Sequence, residues 1–476
     1  MKKLRLICAL VAFGGLAIST FADVQNIRIS GDIRIRGYFL SDVSGTLPIP
    51  GLTGGGVQAE TANSFITQRT RVTVEADLED HVLVVVTLRS ESMWGSMNES
   101  IEGSAGAGMG QVPVGIVKLN RGFDVGINEA YVQFNEMFWS PLTLKLGRQY
   151  LQYGRGLIFS NLDQEYNFDA ARLVMDFYPL TVDLVYIKAW EGQFFGAGNY
   201  GWGSVATLAG PSNTSSIDVL FLNARYEMSD SVVRDVEAYV GYTANNVQLA
   251  GFNMGFPWIP PSGAPGVGAS PIIVGLRADL APIKNLDVWA EAAYECGNLN
   301  GNNGSLNAML ANAGFRYTFT KVKWTPAVNG NYIYASGGGK LGESFVPWFD
   351  YAYNGYLFNP ALSNIHIFNL GASVKPSAST SLGLQAYYYL KDDKNAAVSS
   401  ARNVDFGGFG VTDPAGSGQD VGYEFDLIAG YDYSKDVRFQ LIYGMFVPSS
   451  GFKSNGGANE ASSLAQLIRG EVNVRF

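Results

Sequence analysis

The residues whose types could take part in binding or catalysis lie in one stretch, "LKLGRQYLQYGRG", residues 144–156. It contains three glycines and two arginines. Glycine-rich loops with a basic residue bind phosphate when a helix N-terminus follows and supplies aligned N–H groups. No helical periodicity follows Gly156. The sequence therefore predicts that Gly154 and Gly156 form a turn at the end of a strand, rather than a phosphate-binding loop.

Other catalytic and metal-binding residue types are scarce. The chain has two histidines, and the only candidate acid–base pair is His366 with Asp350, since we expect His81 at the opposite end of the molecule. An acidic stretch resembles a calcium loop, but Phe168 replaces the required glycine; its alternating candidates are Asp163, Glu165, Asn167 and Asp169. We expect no catalytic residue, no metal and no cofactor, with calcium at this stretch as an open alternative to solvated carboxylates.

The N-terminus has basic residues, then an apolar run and small residues at Thr20 and Ala22. This pattern predicts a secretory signal peptide over residues 1–22. Its removal takes Cys8 and leaves Cys296, so the mature chain has no cysteine pair for a disulfide or a metal site. It also removes three of the 33 Lys and Arg, which leaves 30 against 42 Asp and Glu, a net charge of −12. That charge argues against a nucleic-acid partner.

The elements that must position these residues are strands. In "IRISGDIRIRGYF", residues 27–39, the isoleucines fall on one face and the charged residues on the other. The same alternation returns in 67–80, 272–280 and 423–429, and again in the C-terminal segment 467–476. A period of two is that of a strand with two different faces. After the signal peptide, no apolar run approaches the roughly 18 residues of a membrane helix.

Short and long connections alternate between these strands, which indicates about eighteen strands. We expect short turns near 79–80, 139–141, 178–179, 229–230, 281–284, 321, 376–377 and 434–435, and long loops at 41–62, 95–124, 153–167, 191–216, 248–270, 298–306, 337–361, 393–419 and 449–462. Short periplasmic turns and long extracellular loops are typical of an outer-membrane barrel. Residues 23–476 are therefore predicted to form an all-β transmembrane antiparallel β-barrel. A soluble all-β protein is the alternative.

Aromatic residues near the predicted strand ends fit the two girdles of such a barrel; they include Trp94, Trp139, Trp190, Tyr178 and Tyr433. The chain ends in Phe476, which we interpret as the signal for the barrel-assembly machinery. Outer-membrane lipid is thus the first predicted partner, and the bacterial outer membrane the predicted location.

Three segments carry a family resemblance: "INEAYVQF", "LKLGRQYLQYGRGLI" and "FDAARLVMDFY", in this order and spacing. They resemble the alginate export family of outer-membrane porins, with a Gly-Arg-Gln strand, a Tyr-Gly turn and a Phe-Asp-x-x-Arg strand. The match covers about residues 63–178. The resemblance implies an 18-stranded barrel, monomeric rather than trimeric, with an arginine-rich pore for an anionic polysaccharide.

The resemblance implies pore-lining roles for Arg148 and Arg172. Alternation along the strand places Arg172 inward. It places Arg148 outward with Leu144 and Leu146, unless a bulge at Gly147 reverses the facing. Because an arginine facing lipid costs a few kcal/mol away from the interface, we expect the bulge, with an arginine at the rim as the alternative.

Inward arginines gather on the first three and last two predicted strands, which closure of the barrel makes neighbours; they are Arg28, Arg34, Arg36, Arg69, Arg71, Arg89, Arg438, Arg469 and Arg475. Acids gather on the middle strands, relieved mainly by Arg277; they are Glu237, Asp279, Asp287, Glu291 and Glu295. The pattern predicts a basic wall facing an acidic wall across the pore. The alternative is that these charges pair locally between adjacent strands.

Two loops have distinctive compositions. Residues 345–360, "FVPWFDYAYNGYLFNP", carry aromatic faces beside polar groups, as sugar-binding sites do; the candidate sugar contacts are Trp348, Tyr351, Tyr353 and Tyr356. The alternative is that these aromatics pack the loop against the barrel. Loop 95–124 is long and glycine-rich enough to fold inward and narrow the pore.

The sequence therefore predicts a channel for polar, anionic or saccharide-like solutes. Two other functions stay open: a structural or adhesive barrel, or sheath for a partner protein, and a barrel enzyme. The solute, the direction of transport and the oligomeric state are not determined by these patterns.

Overall fold

A computed structural model of the chain describes residues 26–41, 63–78, 81–94, 125–138, 141–160, 167–192, 215–228, 232–245, 268–300, 305–338, 342–349, 354–396, 398, 418–449 and 464–476. The predicted signal peptide and the predicted constricting loop 95–124 lie outside these ranges. The described residues contain strands, turns and irregular segments, with no helix among them. Within these ranges there is accordingly no helix long and apolar enough to cross a membrane.

Eighteen antiparallel strands form one closed sheet, in which each strand pairs with its sequence neighbours and β1 also pairs with β18. The strands are β1 (Asn26–Ser41), β2 (Asn63–Asp77), β3 (Val82–Met93), β4 (Val125–Phe134), β5 (Leu142–Gln149), β6 (Phe168–Phe177), β7 (Leu180–Gly192), β8 (Ser215–Glu227), β9 (Val233–Asn245), β10 (Gly268–Ile283), β11 (Leu286–Asn300), β12 (Ser305–Thr318), β13 (Ala327–Ala335), β14 (Ile365–Val374), β15 (Thr380–Leu390), β16 (Asp420–Asp432), β17 (Val437–Pro448) and β18 (Ala465–Arg475). The predicted β-barrel of about 18 strands is confirmed.

Seven of the eight predicted short turns fall between consecutive strands, whereas the predicted turn at 281–284 overlaps the end of β10, which continues to Ile283. All eight connections lie at one end of the barrel, here called the turn end. The long connections lie at the other end, the loop end. β1 begins and β18 ends at the turn end, because the number of strands is even. There the terminal residue closes the seam between β1 and β18: the N–H of Gly31 donates to Phe476 O at 2.8 Å, and the N–H of Phe476 donates to Gly31 O at 3.0 Å.

The outer face of the barrel is apolar and exposed along its height. Leu220, Leu276, Leu370 and Leu441 are more than half exposed, although they lie in the middle of regular strands. Such a surface is stable when its solvent is lipid. The expected girdle residues are exposed near the strand ends where they are described, namely Trp94, Tyr178 and Tyr433. Trp139 and the side chain of Trp190 lie outside the described residues.

The hydrophobic core lies inside the barrel, towards the loop end. It consists of inward side chains of the strands, Val398 of the connection between β15 and β16, and residues of two connections that fold into the lumen. We call these connections loop 3, residues 150–167, and loop 7, residues 336–364. Phe159 of loop 3 and Phe349 of loop 7 form a parallel bridge, with Phe349 N–H donating to Ile158 O at 2.7 Å and Ser160 N–H donating to Phe349 O at 3.0 Å. The described parts of both loops form one body, the crosspiece.

Candidate functional site: the lumen of the barrel

Six arginines from β18, β1, β2 and β3 form a cluster on the inner wall around three carboxylates. Each carboxylate contacts two arginines, and the distances below join guanidinium nitrogens to carboxylate oxygens. Asp32 contacts Arg69 at 3.1 Å and Arg71 at 2.5 Å. The other pairs are Glu91 with Arg34 at 3.4 Å and with Arg89, and Glu471 with Arg36 at 2.5 Å and Arg469 at 4.0 Å. With six guanidinium groups and three carboxylates, the cluster therefore has an excess of positive charge.

The register of the strands produces this cluster. Arg34 lies opposite Arg69, and Asp32 lies opposite Arg71, across the β1–β2 pair. Arg36 lies opposite Glu471 across the seam between β1 and β18. Because inward residues alternate along each strand, the side chains meet on one face. The local pairing that sequence reasoning kept as the alternative is therefore present, and it coexists with the predicted concentration of arginines.

Exposure separates the arginines of the cluster into two groups. The side chains of Arg34, Arg36, Arg69 and Arg469 are 3–4% exposed. In contrast, Arg71 is 11% and Arg89 23% exposed. Arg71 and Arg89 are therefore accessible from the lumen, whereas the other four arginines are buried in the wall and contribute only through their electrostatic field.

The remaining predicted wall arginines lie nearer the turn end. Arg28 pairs with Glu75 at 2.9 Å and Arg438 with Asp432 at 2.8 Å, and both arginines are about half exposed. Arg475, the last residue of β18, is exposed. These residues are separate from the cluster at mid-height.

Arg172 on β6 points into the barrel, as its alternation predicts. Its guanidinium lies 2.5 Å from Asp183 Oδ2, and its central carbon is 5.7 Å from the ring centroid of Tyr153 in loop 3. The Tyr153 hydroxyl also donates to Asp183 at 2.9 Å, and burial raises the pKa of that hydroxyl well above its usual range. Arg172 is 29% exposed, so it extends the accessible basic surface beyond β3.

The predicted bulge at Gly147 is wrong, and Arg148 does not face the lumen. The pairing of β5 with β4 and with β6 runs through Gly147 without a shift of register. Arg148 therefore stays on the outer face with Leu144 and Leu146. It forms two hydrogen bonds of 2.8 Å with Asp169, and both side chains are exposed. The inward residue is the next one, Gln149, which is fully buried.

The predicted acidic wall is largely covered by loop 3, which corrects the picture of two opposed open walls. Glu237 accepts the Gly154 N–H at 2.9 Å, and Glu291 accepts the Arg155 N–H at 2.9 Å. Gly154 has a φ of +58°, and a β-carbon there would lie 2.5 Å from Glu291. The turn predicted at this glycine is confirmed, because only glycine permits so close an approach to the wall.

Three arginines pair with acids of this sector. Arg277 contacts Asp235 at 3.3 Å, Glu237 at 2.5 Å and also Asp279. The side chain of Arg155 reaches from loop 3 to Asp279 at 3.0 Å, with its guanidinium 4.2 Å from the ring centroid of Trp289. Asp279 is therefore bound from two sides. Asp287 pairs with Arg234 at 2.7 Å near the turn end.

Loop 7 is bound by acids in the same way as loop 3. Glu295 on β11 accepts the Val346 N–H at 2.8 Å and the Trp348 indole N–H at 3.0 Å. Glu424 on β16 accepts three backbone N–H groups of the loop, at 2.6–2.7 Å. Both acids are fully buried.

One of the four proposed sugar contacts, Trp348, is corrected by this packing. Trp348 is fully buried against Phe159 of loop 3, so it packs the loop and presents no face to a solute. Tyr356 is partly buried, with Arg469 at 5.1 Å from its ring centroid. Tyr351 and Tyr353 lie outside the described residues. The alternative, that the aromatics pack the loop, holds for Trp348.

The histidines have other partners than the ones proposed. His366 faces outward at the loop end, with Nδ1 at 2.8 Å from the Tyr332 hydroxyl and Nε2 at 3.3 Å from Asp392. Its proposed partner Asp350 lies outside the described residues. His81 is at the turn end, 3.9 Å from Glu136. The two histidines are therefore at opposite ends, as expected.

The potential calcium ligands are only half described. Asn167 donates to the carbonyl oxygen of Asn128, and Asp169 is paired with Arg148. Asp163 and Glu165 lie outside the described residues. In the described part of the chain, no group of three or more His, Cys, Asp or Glu residues could hold a metal ion.

Sequence reasoning did not single out Arg155 or Glu424 as site residues. Arg155 stood in the opening motif, but nothing local indicates that it crosses to β10 and β11. Glu424 was recognised as inward by alternation. Its role depends on a loop more than 60 residues away, which a strand pattern does not reveal.

A closed 18-stranded barrel with arginines on its inner wall is now established, and its sequence matches the alginate export family model over residues 55–466. The chain belongs to the alginate export family. No curated protein matches its sequence significantly. This alginate export family member is thus a channel-type barrel of the bacterial outer membrane, with lipid as the solvent of its outer face.

Solved barrels of Pseudomonas aeruginosa have the same fold. OccK9 (OpdG) is 11% identical at a TM-score of 0.55, with 96% of this chain and 100% of that chain covered. OccK8 (OprE) is 9% identical at 0.55, with 96% and 99% covered. OpdK, in a crystal structure with vanillate, is 9% identical at 0.53, with 94% and 98% covered. At these identities the similarity shows the fold of this alginate export family member, and not its solute.

Proposed function

We propose that this outer-membrane channel passes polar, anionic or saccharide-like solutes along an arginine-lined wall. The observation that carries the proposal is the cluster of six arginines around three carboxylates on β18, β1, β2 and β3. Arginine keeps its charge at all physiological pH values and offers forked donors to carboxylates. A wall of this composition favours anions over cations.

The crosspiece adds to the imbalance between the two sides of the lumen. It covers Glu237, Glu291 and Glu295, which are at most 3% exposed. The accessible Arg71, Arg89 and Arg172 lie on β2, β3 and β6. A solute that passes beside the crosspiece therefore meets guanidinium groups, while these three carboxylates are engaged by loop backbone.

The nature of the solute follows from the same groups. Guanidinium forks bind carboxylates and hydroxyl-rich solutes through several N–H donors. OpdK, a barrel of the same fold, was crystallised with vanillate, a carboxylate. We therefore place small organic anions and acidic sugars ahead of neutral sugars and cations.

Planar-bilayer recording tests the proposal. In a potassium chloride gradient, we expect the reversal potential to have the sign that shows selectivity for chloride over potassium. Added glucuronate should reduce the chloride current more than the same concentration of glucose. A folded barrel that conducts no ions would instead support the alternative, a structural or adhesive barrel.

A further inference from the structure

Loop 7 is fixed to the barrel wall at two places by buried carboxylates with no role in the proposed pore chemistry. On β16, Glu424 Oε1 accepts the N–H groups of Tyr356 at 2.6 Å and Leu357 at 2.7 Å, and Oε2 accepts that of Phe358 at 2.7 Å. On β11, Glu295 receives the Val346 N–H and the Trp348 indole N–H. Loop 7 therefore has two separate anchor points.

We propose that Glu295 and Glu424 are positioning residues that set the size limit of this channel by seating loop 7 across the lumen. They contact the loop and not the solute. The proposal rests on the proposed channel function, but it concerns the width of the passage and not its charge.

Irregular backbone inside a barrel needs hydrogen-bond acceptors, and this need explains why acids occupy the two positions. Three successive N–H groups of loop 7 point at one carboxylate, and each would destabilise the folded barrel if it were buried without an acceptor. An ionised carboxylate accepts at both oxygens, and hydrogen bonds to a charged group are roughly twice as strong as neutral ones. Glu424 therefore determines where residues 356–358 lie.

The two anchors hold the loop at two well-separated places on the barrel wall. β11 and β16 are five strand positions apart, which corresponds to roughly 24 Å of wall at about 4.8 Å per strand. Next to the first anchor, Phe349 forms a bridge with loop 3, and the anchored residues Trp348 and Phe358 are buried. The described segments 342–349 and 354–358 are thus packed inside the barrel.

Replacement of one carboxylate oxygen by an NH₂ group is enough to disturb these hydrogen bonds. In Glu424→Gln, one of the two acceptor atoms becomes an NH₂ donor that faces backbone N–H donors. In Glu295→Gln, the same conflict arises at Val346 or at the Trp348 indole. We expect residues 354–358 to move away from the wall in Glu424→Gln, and residues 345–349 to do so in Glu295→Gln. In both variants the passage beside the crosspiece should widen.

Polyethylene glycols of graded mass measure the width without using charge, because a polymer that enters the pore lowers its conductance. Glu424→Gln and Glu295→Gln should each raise the single-channel conductance and admit larger polymers than the unmodified channel. Glu75→Gln is the matched control. It is an inward acid on β2 that pairs with Arg28 near the turn end, and the polymer limit should not change.

A variant in which a short glycine linker replaces residues 345–358 provides the reference for a passage without the loop. Its polymer limit should be at least as large as that of Glu424→Gln. The proposal is overturned if folded Glu295→Ala/Glu424→Ala keeps the polymer limit of the unmodified channel, whether or not the loop-replaced variant admits larger polymers. Its failure is separate from that of the proposed function, because the reversal potential reports charge selectivity in the same recordings.

Discussion

At the scale of single residues, the same residue type has different roles on the two faces of the barrel. Arg172 is inward beside Asp183, whereas Arg148 is outward beside Asp169. On the outer face Arg148 is the partner of Asp169, and its removal leaves that carboxylate unpaired. Arg148→Ala should therefore lower the free energy of unfolding by about 1–3 kcal/mol and leave the reversal potential unchanged. Urea unfolding and bilayer recording check the two parts, and a changed selectivity would return Arg148 to the pore.

A second residue-scale prediction concerns Asp426, which lies beside Glu424 on the inner face of β16. Both its carboxyl oxygens are buried, and among the described residues neither has a hydrogen bond of normal geometry, although the Glu424 carboxyl and the Tyr356 N–H lie beside them. Asn has the same shape, carries no charge and can donate to Glu424. Asp426→Asn should therefore stabilise the barrel by about 1–3 kcal/mol, the cost of an unsatisfied buried polar group.

The midpoint of urea unfolding measures this change, with Glu424→Gln as the opposite case because it loses acceptors that the loop needs. A barrel that is less stable after Asp426→Asn would show that this carboxyl group has an essential partner.

At the scale of elements, Gly147 determines how β5 pairs with β4. It has a φ of +122°, and a β-carbon would lie 2.3 Å from Ala130 O. Gly147→Ala should destabilise the barrel by about 1–3 kcal/mol, because the new side chain enters a strained backbone region and a close backbone contact. Gly470→Ala on β18 is the control, since no atom lies within 4 Å of its β-carbon position. Equal unfolding midpoints for the two variants would contradict this account.

The terminal strand gives a second element-scale prediction. Phe476 completes the seam through its two backbone hydrogen bonds with Gly31, and its ring lies against Gly31. Deletion of Phe476 should lower the fraction of folded barrel in the outer membrane, which is visible as loss of the heat-modifiable band on gels. An unchanged folded fraction would remove the terminal residue from both closure and assembly.

The strands were predictable from sequence, but the contacts of the loops were not. Each strand has one face in lipid and one in the lumen, so its residues alternate, and the inward arginines of β1 and β2 follow from that alternation alone. The prediction of a bulge at Gly147 is wrong because a close backbone approach and a bulge both favour glycine. The partners of Glu295 and Glu424 lie about 50 and nearly 70 residues along the chain, and no local pattern records such contacts.

At the scale of the whole molecule, the net charge does not determine the selectivity of the channel. The chain is acidic, with 42 Asp and Glu against 33 Lys and Arg. Screening limits the influence of a charge to about 8 Å in physiological salt. An acid farther away than this therefore has little effect on an ion beside Arg71, Arg89 or Arg172, and we expect these arginines to set the selectivity.

The three accessible arginines can be removed without leaving their partner acids unpaired. Asp32 keeps Arg69, Glu91 keeps Arg34, and Asp183 keeps the Tyr153 hydroxyl. The triple variant Arg71→Ser/Arg89→Ser/Arg172→Ser is thus a fair test of charge in a folded barrel. Arg148→Ser on the outer face is its matched control.

The most direct test is the reversal potential of the refolded channel in a tenfold potassium chloride gradient. We predict anion selectivity for the unmodified channel, a shift towards potassium in the triple variant, and no shift in Arg148→Ser. A cation-selective unmodified channel with the same reversal potential in the triple variant would contradict the arginine-lined pore and the anionic class of solute.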